Sequence, residues 1–487
     1  MSPLVRRRTG RRVLAVAALT AVAVGVPAVL TAIPASTPEA APPGWSAGIR
    51  SYLVISAPTD VHSAKAAVVA KGGTVFASYD AIGVVVAHST AGDFATTLRG
   101  VPGIQQVGAT RTADVPADAY APAVPAAPDE SDEAPDETVG WNMSQIRADQ
   151  AWDVTTGSRT VKVGVLDTGV DDLHQDLAPN FDAADSVSCA YGRTDTRAGS
   201  WRAIGSHGTH VAGIIAAARN GVGVVGVAPG VEIASVRTAE PGSLTYAENA
   251  VCGLVWAGDH GFRVTNSSNE TDPWLFNCPD NPDQAAIIEG VRRAQEYAES
   301  RGSLQVAAAG NANQDFAGTP TDTSSPSDSE PFERTVTKAC LDVPAELPGV
   351  VAVASTAVGG GWASYSNYGE GVIALAAPGG DGDADVYSTV PGGGYGMMSG
   401  TSMASPHVTG VAALIASTDP SLTPAGIRER LAAQADPQPC PASDTRCVGT
   451  EGDNGFFGKG EVDALKAVGG AVAATRRPVA VAGGSPE

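Results

Sequence analysis

Two metal-binding signatures are missing from this sequence. It has no Cys-x-x-Cys pair, which argues against a zinc knuckle, and no His-Glu-x-x-His, which removes the helical zinc-hydrolase pattern. Internal repeats are absent, and after Leu465 the chain is mostly Ala, Gly and Val with a few charges, too little for a C-terminal membrane span. Basic residues are scarce. Lys and Arg number 31 against 52 Asp and Glu, a net charge of -21, and so acidic a surface disfavours nucleic acid or an anionic membrane as a partner.

What is present begins with Arg6, Arg7, Arg8, Arg11 and Arg12, followed by an apolar run over 13–29 and small residues around Pro34. This is the pattern of an export signal over 1–35. A membrane anchor is the rival reading, disfavoured by the alanine-rich run, and Arg11-Arg12 leaves a twin-arginine route open beside the general secretory one. The expected location is therefore outside the cell, without a stable membrane anchor. All six cysteines, Cys189, Cys252, Cys278, Cys340, Cys440 and Cys447, follow the signal, and an even count with export suggests disulfides. Cys440 and Cys447, separated by a short loop containing Pro and Asp, are the expected pair.

Residues 36–111 form an N-terminal domain whose core, 51–110, alternates in a definite order. Periodicity predicts strands at 52–56, 74–78, 82–87 and 104–107 and helices at 60–71 and 91–99, a β-α-β-β-α-β order of ferredoxin-like type. Over 112–138 the composition turns to Ala, Pro and acid, with a cluster at 129–137. Such a segment buries too little to fold and reads as a mobile linker, open to cleavage. From Trp141 strands and helices alternate over a large domain, 139–466, with strands at 161–167, 232–237, 262–266, 304–308 and 350–354. Helices fall at 246–259 and 284–300, after Ser402 and from Thr423. The alternation implies a mainly parallel α/β sheet covered by helices on both faces, and 467–487 reads as a flexible tail.

Three polar residues stand at element ends in the large domain. Val161-Lys162-Val163-Gly164-Val165-Leu166-Asp167 is a nearly continuous apolar run, the pattern of a parallel strand buried on both faces. Asp167 emerges from it where open α/β sheets bind ligands. Ser206-His207-Gly208-Thr209-His210 opens a helix with His207 at its start, and Gly400-Thr401-Ser402-Met403 opens another with Ser402 in its first turn. A serine there is often a plain N-cap. At such a position, though, unpaired N–H groups and the positive end of the dipole also favour an oxyanion. Chain order is Asp, His, Ser, one of the known orders of a Ser-His-Asp relay, and no Gly-x-Ser-x-Gly elbow surrounds Ser402.

Val165-Leu166-Asp167-Thr168-Gly169-Val170, His207-Gly208-Thr209-His210-Val211-Ala212-Gly213 and Gly400-Thr401-Ser402-Met403-Ala404-Ser405-Pro406 together resemble the motifs of secreted subtilisin-like serine proteases, the subtilases. The resemblance runs from about Trp141 to Leu465. It implies a three-layer subtilisin-like fold over 139–466 and a serine endopeptidase acting on proteins or peptides, with no cofactor required for the chemistry. The domain at 36–111 is then similar to an inhibitory propeptide, a partner within the same chain, and the expected state is a monomer. Asn311, in Ala307-Ala308-Ala309-Gly310-Asn311, resembles the asparagine that binds the oxyanion.

The same resemblance assigns substrate binding to Ser268, Asn269 and Glu270 and to Ala308, Ala309 and Gly310. In the first of these edges the chain departs from the family, because Asn269 and Glu270 stand where apolar and glycine residues are usual. Glu270 is expected either to favour a basic residue near the scissile bond or to be an exposed rim charge. A calcium site is implied at Asp176 and in the loop of Ala218, Asn220, Val222 and Val224, where hard oxygen ligands would suit the ion; an ordinary glycine-rich loop is the alternative. His210 and His407, each beside a motif, are expected to be buried and hydrogen-bonded. Two rival functions remain: a metal hydrolase on Asp167, His207 and His210, and an inactive protein that binds peptides.

Overall fold

The computed structural model describes residues 48–117, 119, 135–382 and 384–470. The export signal over 1–35, most of the acidic linker and the tail from 471 lie outside the described residues. Among the described residues no helix is long and apolar enough to cross a membrane.

The N-terminal unit follows the predicted order: β1 (Arg50–Ser56), α1 (Val61–Ala70), β2 (Thr74–Tyr79), β3 (Val84–Ser89), α2 (Phe94–Arg99) and β4 (Ile104–Ala109). Its sheet has the order β2-β3-β1-β4 with antiparallel pairing throughout, the ferredoxin-like arrangement. Alternation divides its apolar residues between two faces. Tyr52, Val54, Val85 and Ala87 pack with Val68, Phe94 and Leu98 inside the unit, while Leu53, Ile55, Val84 and Val86 pack with Ile287 and Val291 of the large domain.

The large domain adds two short helices, α3 (Trp141–Gln145) and α4 (Ala148–Ala151), then β5 (Lys162–Asp167), β6 (Val187–Ser188), α5 (His207–Ala216) and β7 (Glu232–Arg237). After these come α6 (Ala247–Asp259), β8 (Val264–Ser267), α7 (Pro282–Ser300), β9 (Leu304–Ala308), β10 (Val351–Thr356) and β11 (Leu375–Pro378). Last are the hairpin β12 (Val386–Val390) and β13 (Gly394–Met398), and the helices α8 (Thr401–Thr418) and α9 (Pro424–Gln434). Seven strands form one sheet, ordered β11-β10-β9-β8-β5-β7-β6, with every pair parallel. Parallel pairing brings the carboxyl ends of β5, β8 and β9 to one edge, so Asp167, Ser268 and Gly310 emerge side by side.

Helix starts follow local chemistry. Asn281 accepts from the Asp283 and Gln284 amides ahead of α7, and Thr423 accepts from the Gly426 amide ahead of α9, with Pro282 and Pro424 in the first turns. The cysteines pair as Cys189–Cys252, Cys278–Cys340 and Cys440–Cys447, the last as expected. The acidic linker differs from expectation at its ends. Thr112 is tied to the Asp328 carboxylate through its amide at 2.8 Å, and Asp136 and Thr138 bridge to Val222 and Val224. Polar side chains and free strand edges on the large domain supply bonds that composition alone does not reveal.

Candidate active site

Asp167 is the last residue of β5 and is buried. Its Oδ1 accepts the Thr168 amide at 2.7 Å and His207 Nδ1 at 2.8 Å, and its Oδ2 lies 3.0 Å from the same nitrogen. His207 is the first residue of α5, with its side chain about one third exposed. The next residue has to be small, because a Cβ at Gly208 would fall 2.4 Å from the Gly169 carbonyl oxygen and 3.0 Å from Asp167 Oδ1. Glycine there lets the start of α5 seat against the end of β5. With Nδ1–H held by the carboxylate, the neutral imidazole carries its lone pair on Nε2, the tautomer a general base requires. Burial lowers the imidazole pKa, but the Asp167 charge and its hydrogen bond outweigh that and leave it above 6.5.

Ser402 lies in the first turn of α8, after Gly400. Pro406 stands four residues on and has no N–H, so the Ser402 carbonyl lacks its helical donor. The Ser268 hydroxyl supplies one at 2.8 Å. In return Ser402 Oγ donates to the Ser268 carbonyl oxygen at 3.0 Å, rather than to His207. Ser268 therefore holds α8 against the end of β8 through its side chain, within a network that includes Asn266 and Ser405. Its predicted place on the substrate edge is left to its backbone.

Asn311 follows Gly310 at the carboxyl end of β9. Its Oδ1 accepts the Thr401 amide at 2.8 Å and the Thr401 hydroxyl at 2.9 Å. Anchored by its oxygen to the neighbour of Ser402, it presents its Nδ2–H groups to the space beside the serine. In the first turn of α8 the Thr401 N–H is given to Asn311 and the Met403 N–H to the Gly400 carbonyl, which leaves the Ser402 N–H as the amide with no acceptor among the described residues. This is a donor pair of the kind that binds a developing oxyanion. Asn311→Ala is expected to lower turnover of a peptide substrate about 10²- to 10³-fold with little change in KM, the magnitude known from subtilisin; steady-state kinetics on a fluorogenic peptide measures it.

The profile of the Subtilase family, Peptidase S8, matches residues 158–460. The chain belongs to the subtilase family. It is 35% identical over 295 residues to M-protease of Shouchella clausii, a match covering 61% of this chain and 64% of that protein, a little under two thirds of its length. Over 295 residues it is 34% identical to Subtilisin Savinase of Lederbergia lenta, covering 61% of this chain and 90% of the relative. Among solved structures, the Epidermin Leader Peptide Processing Serine Protease of Staphylococcus aureus superposes with a TM-score of 0.65 at 22% identity, over 88% of this chain and 99% of that one; that likeness shows a shared fold. The relatives named are proteases, and this chain has the three-layer α/β architecture of the subtilase family.

Both neighbouring histidines are structural. His210 Nε2 donates toward the carbonyls of Val386 and Gly396, pinning α5 to the β12–β13 hairpin, and burial pushes its pKa down to about 3. His407 Nδ1 donates to the Met403 carbonyl at 2.7 Å, its Nε2 lies 2.8 Å from the Asn142 amide, and burial lowers it to about 4. Among the described residues Asp167, His207 and His210 do not form a group placed to hold a metal.

In the loop implied for calcium the polar side chains are taken up by hydrogen bonds of their own. The Asp176 carboxylate accepts from the Asn220 side-chain amide, the Val224 amide and the Tyr395 hydroxyl at 3.1, 3.0 and 2.9 Å. Asn220 Oδ1 accepts the Val222 amide, and Ala218 gives its amide to the Asp176 carbonyl. Calcium needs a convergent set of oxygens. Here Asn220 and Val224 turn N–H groups to the carboxylate, and the Tyr395 phenol fills the space. Among the described residues no group of three His, Cys, Asp or Glu side chains is placed to hold a metal.

Proposed function

We propose that this protein is an exported serine endopeptidase, made as a self-inhibited precursor, that hydrolyses peptide bonds through an acyl-enzyme on Ser402. The observation that carries the reading is the Asp167–His207 hydrogen bond at 2.8 Å, on the same sheet edge as Ser402 and the Asn311 amide anchored to Thr401. In the reaction, Ser402 Oγ turns from the Ser268 carbonyl to His207 Nε2, gives up its proton and attacks the scissile carbonyl. Asp167 holds the ring and stabilises the imidazolium. Asn311 and the Ser402 backbone N–H bind the oxyanion, and His207 returns the proton to the leaving amine. Water then repeats the sequence to release the acid product. Hydrolysis of a quenched peptide that survives a chelator but not a sulfonyl fluoride is the expected result. The opposite pattern would favour the metal hydrolase, and no turnover would favour the inactive peptide-binding alternative.

Residues 36–111 act in this reading as a propeptide, removed by cleavage within 112–138. Two features support it. Aliphatic side chains of β1 and β3 are buried against α7, each worth about 1.5–3 kcal/mol when fully buried. Arg111, just past β4, is itself buried, with Nη1 and Nη2 on Glu240 at 3.0 and 2.8 Å, Nη2 on Glu248 at 2.5 Å, and its guanidinium 3.7 Å from the Tyr246 ring centroid. Burial alone would raise the Glu248 carboxyl, yet the Arg111 charge holds it below its usual value. Arg111→Ala strands two buried carboxylates, at a cost of about 3–5 kcal/mol. Amide exchange within the N-terminal unit is expected to quicken about 10²- to 10³-fold when Arg111→Ala is made in the Ser402→Ala background; unchanged exchange would show that Arg111 does not hold the unit.

A further inference from the structure

The last paired residues of β8 and β9 are Ser267 and Ala307. Beyond them the two chains part, and the crevice between 268–270 and 308–310 ends on carboxylates. Gly310 has φ +88°, and a Cβ added there would lie 2.5 Å from Asn367 Nδ2, 3.2 Å from Glu270 Oε1 and 3.4 Å from Asp342 Oδ2. Two acidic side chains thus converge on the residue of this edge that has no side chain of its own.

Asp342 is 1% exposed, and its Oδ2 has no hydrogen-bond partner among the described residues. A carboxylate taken from water without a partner is costly, and the fold nevertheless holds it there. The Cys278–Cys340 disulfide and the reciprocal backbone bonds of Asn277 with Leu341 fix the segment, and the Asp342 amide donates to Glu346 Oε2 at 2.7 Å. The charges acting on Glu270 are those of Asp272 and Asp322, and on Asp342 those of Glu270 and Glu346. Burial first, then these like charges, push Glu270 up to about 7 and Asp342 well above the usual carboxylate range. An incoming cation would relieve each of these influences.

The recess lies beside the chemistry. The Gly310 amide donates to Thr401 Oγ1 at 3.0 Å, and Asn311 accepts from Thr401. A substrate residue with its carbonyl carbon at Ser402 and its oxygen at Asn311 stands next to Gly310, the chain neighbour of Asn311 and itself bonded to Thr401. We propose that Glu270 and Asp342 form the pocket for the residue whose carbonyl is attacked and select arginine or lysine there. A guanidinium suits two carboxylates, since its fork of N–H donors can bond both. The proposal rests on the serine-protease reading above.

The test expresses the full chain and compares its processed form, freed of residues 36–111, on quenched peptides that differ only in the residue before the scissile bond: arginine, leucine or glutamate. The expected ratio of kcat/KM for arginine over leucine is at least about tenfold, and it falls by about tenfold or more in both Glu270→Gln and Asp342→Asn. Benzamidine is expected to inhibit the unaltered chain competitively, and uncharged benzamide far less, a readout independent of whether the variants fold. Equal turnover of arginine and leucine peptides, or equal inhibition by the two compounds, overturns the basic pocket while leaving the protease standing. No turnover of any peptide together with no labelling of Ser402 overturns the protease, and the pocket with it.

Discussion

Ser402→Ala is expected to reduce peptide hydrolysis by about 10⁶-fold, the magnitude known for the nucleophile of subtilisin, and to leave the chain folded. The fold should survive because the hydroxyl makes one hydrogen bond, to the Ser268 carbonyl oxygen, worth about 1 kcal/mol net. The bond that secures α8 at this point runs the other way, from Ser268 Oγ to the Ser402 carbonyl oxygen, and does not need the Ser402 side chain. Since the precursor is read as cutting its own linker, the variant should also accumulate uncleaved, with 36–111 still attached. Turnover of a quenched peptide and the apparent mass of the secreted product measure both effects. Activity within tenfold of the unaltered chain would remove Ser402 from the mechanism.

Asp167→Asn carries the second largest expected effect, a loss of about 10⁴-fold in kcat, as found when the triad aspartate of another serine protease is so changed. An amide in place of the carboxylate can present its N–H to the ring and favour the tautomer with its lone pair on Nδ1, leaving no base at Nε2. The pH profile adds a readout that a structural defect would not move. The base works only when neutral, so kcat/KM falls as pH drops through the His207 pKa, which stands above 6.5. In the variant the charge and the charge-assisted bond that raise it are gone, burial alone remains, and burial lowers it. The acid limb should therefore move to lower pH. A peptide without basic residues is the substrate of choice, because Glu270, at about 7, would titrate alongside.

Legibility in the sequence followed how local the determinants are. Asp167, His207 and Ser402 each close or open an element within a few residues of a recognisable pattern, and β7 and β9 occupy the residues the periodicity predicts. The β12–β13 hairpin was not legible, because Gly392, Gly393, Gly394 and Gly396 dilute the period-two pattern that marks a strand. Asp342 was invisible for a different reason. Its meaning depends on Cys278–Cys340 bringing a loop beside Glu270 and Gly310, and nothing in its neighbours marks it. The calcium expectation gains no support, and Tyr395, far along the chain, gives its hydroxyl to Asp176. Glu270 stands out in the sequence as a departure from the family, whereas the approach of Asp342 to the same glycine, on which the proposed pocket rests, is visible only in the fold.

The convergence of Asp167, His207, Ser402 and Asn311 on one working site is tested most directly by reacting the purified chain with a fluorophosphonate and mapping the adduct by mass spectrometry. A single adduct on Ser402, lost on denaturation before labelling and strongly reduced in His207→Ala, is the predicted result. Labelling spread over several serines, or equal in the native and denatured chain, would contradict it.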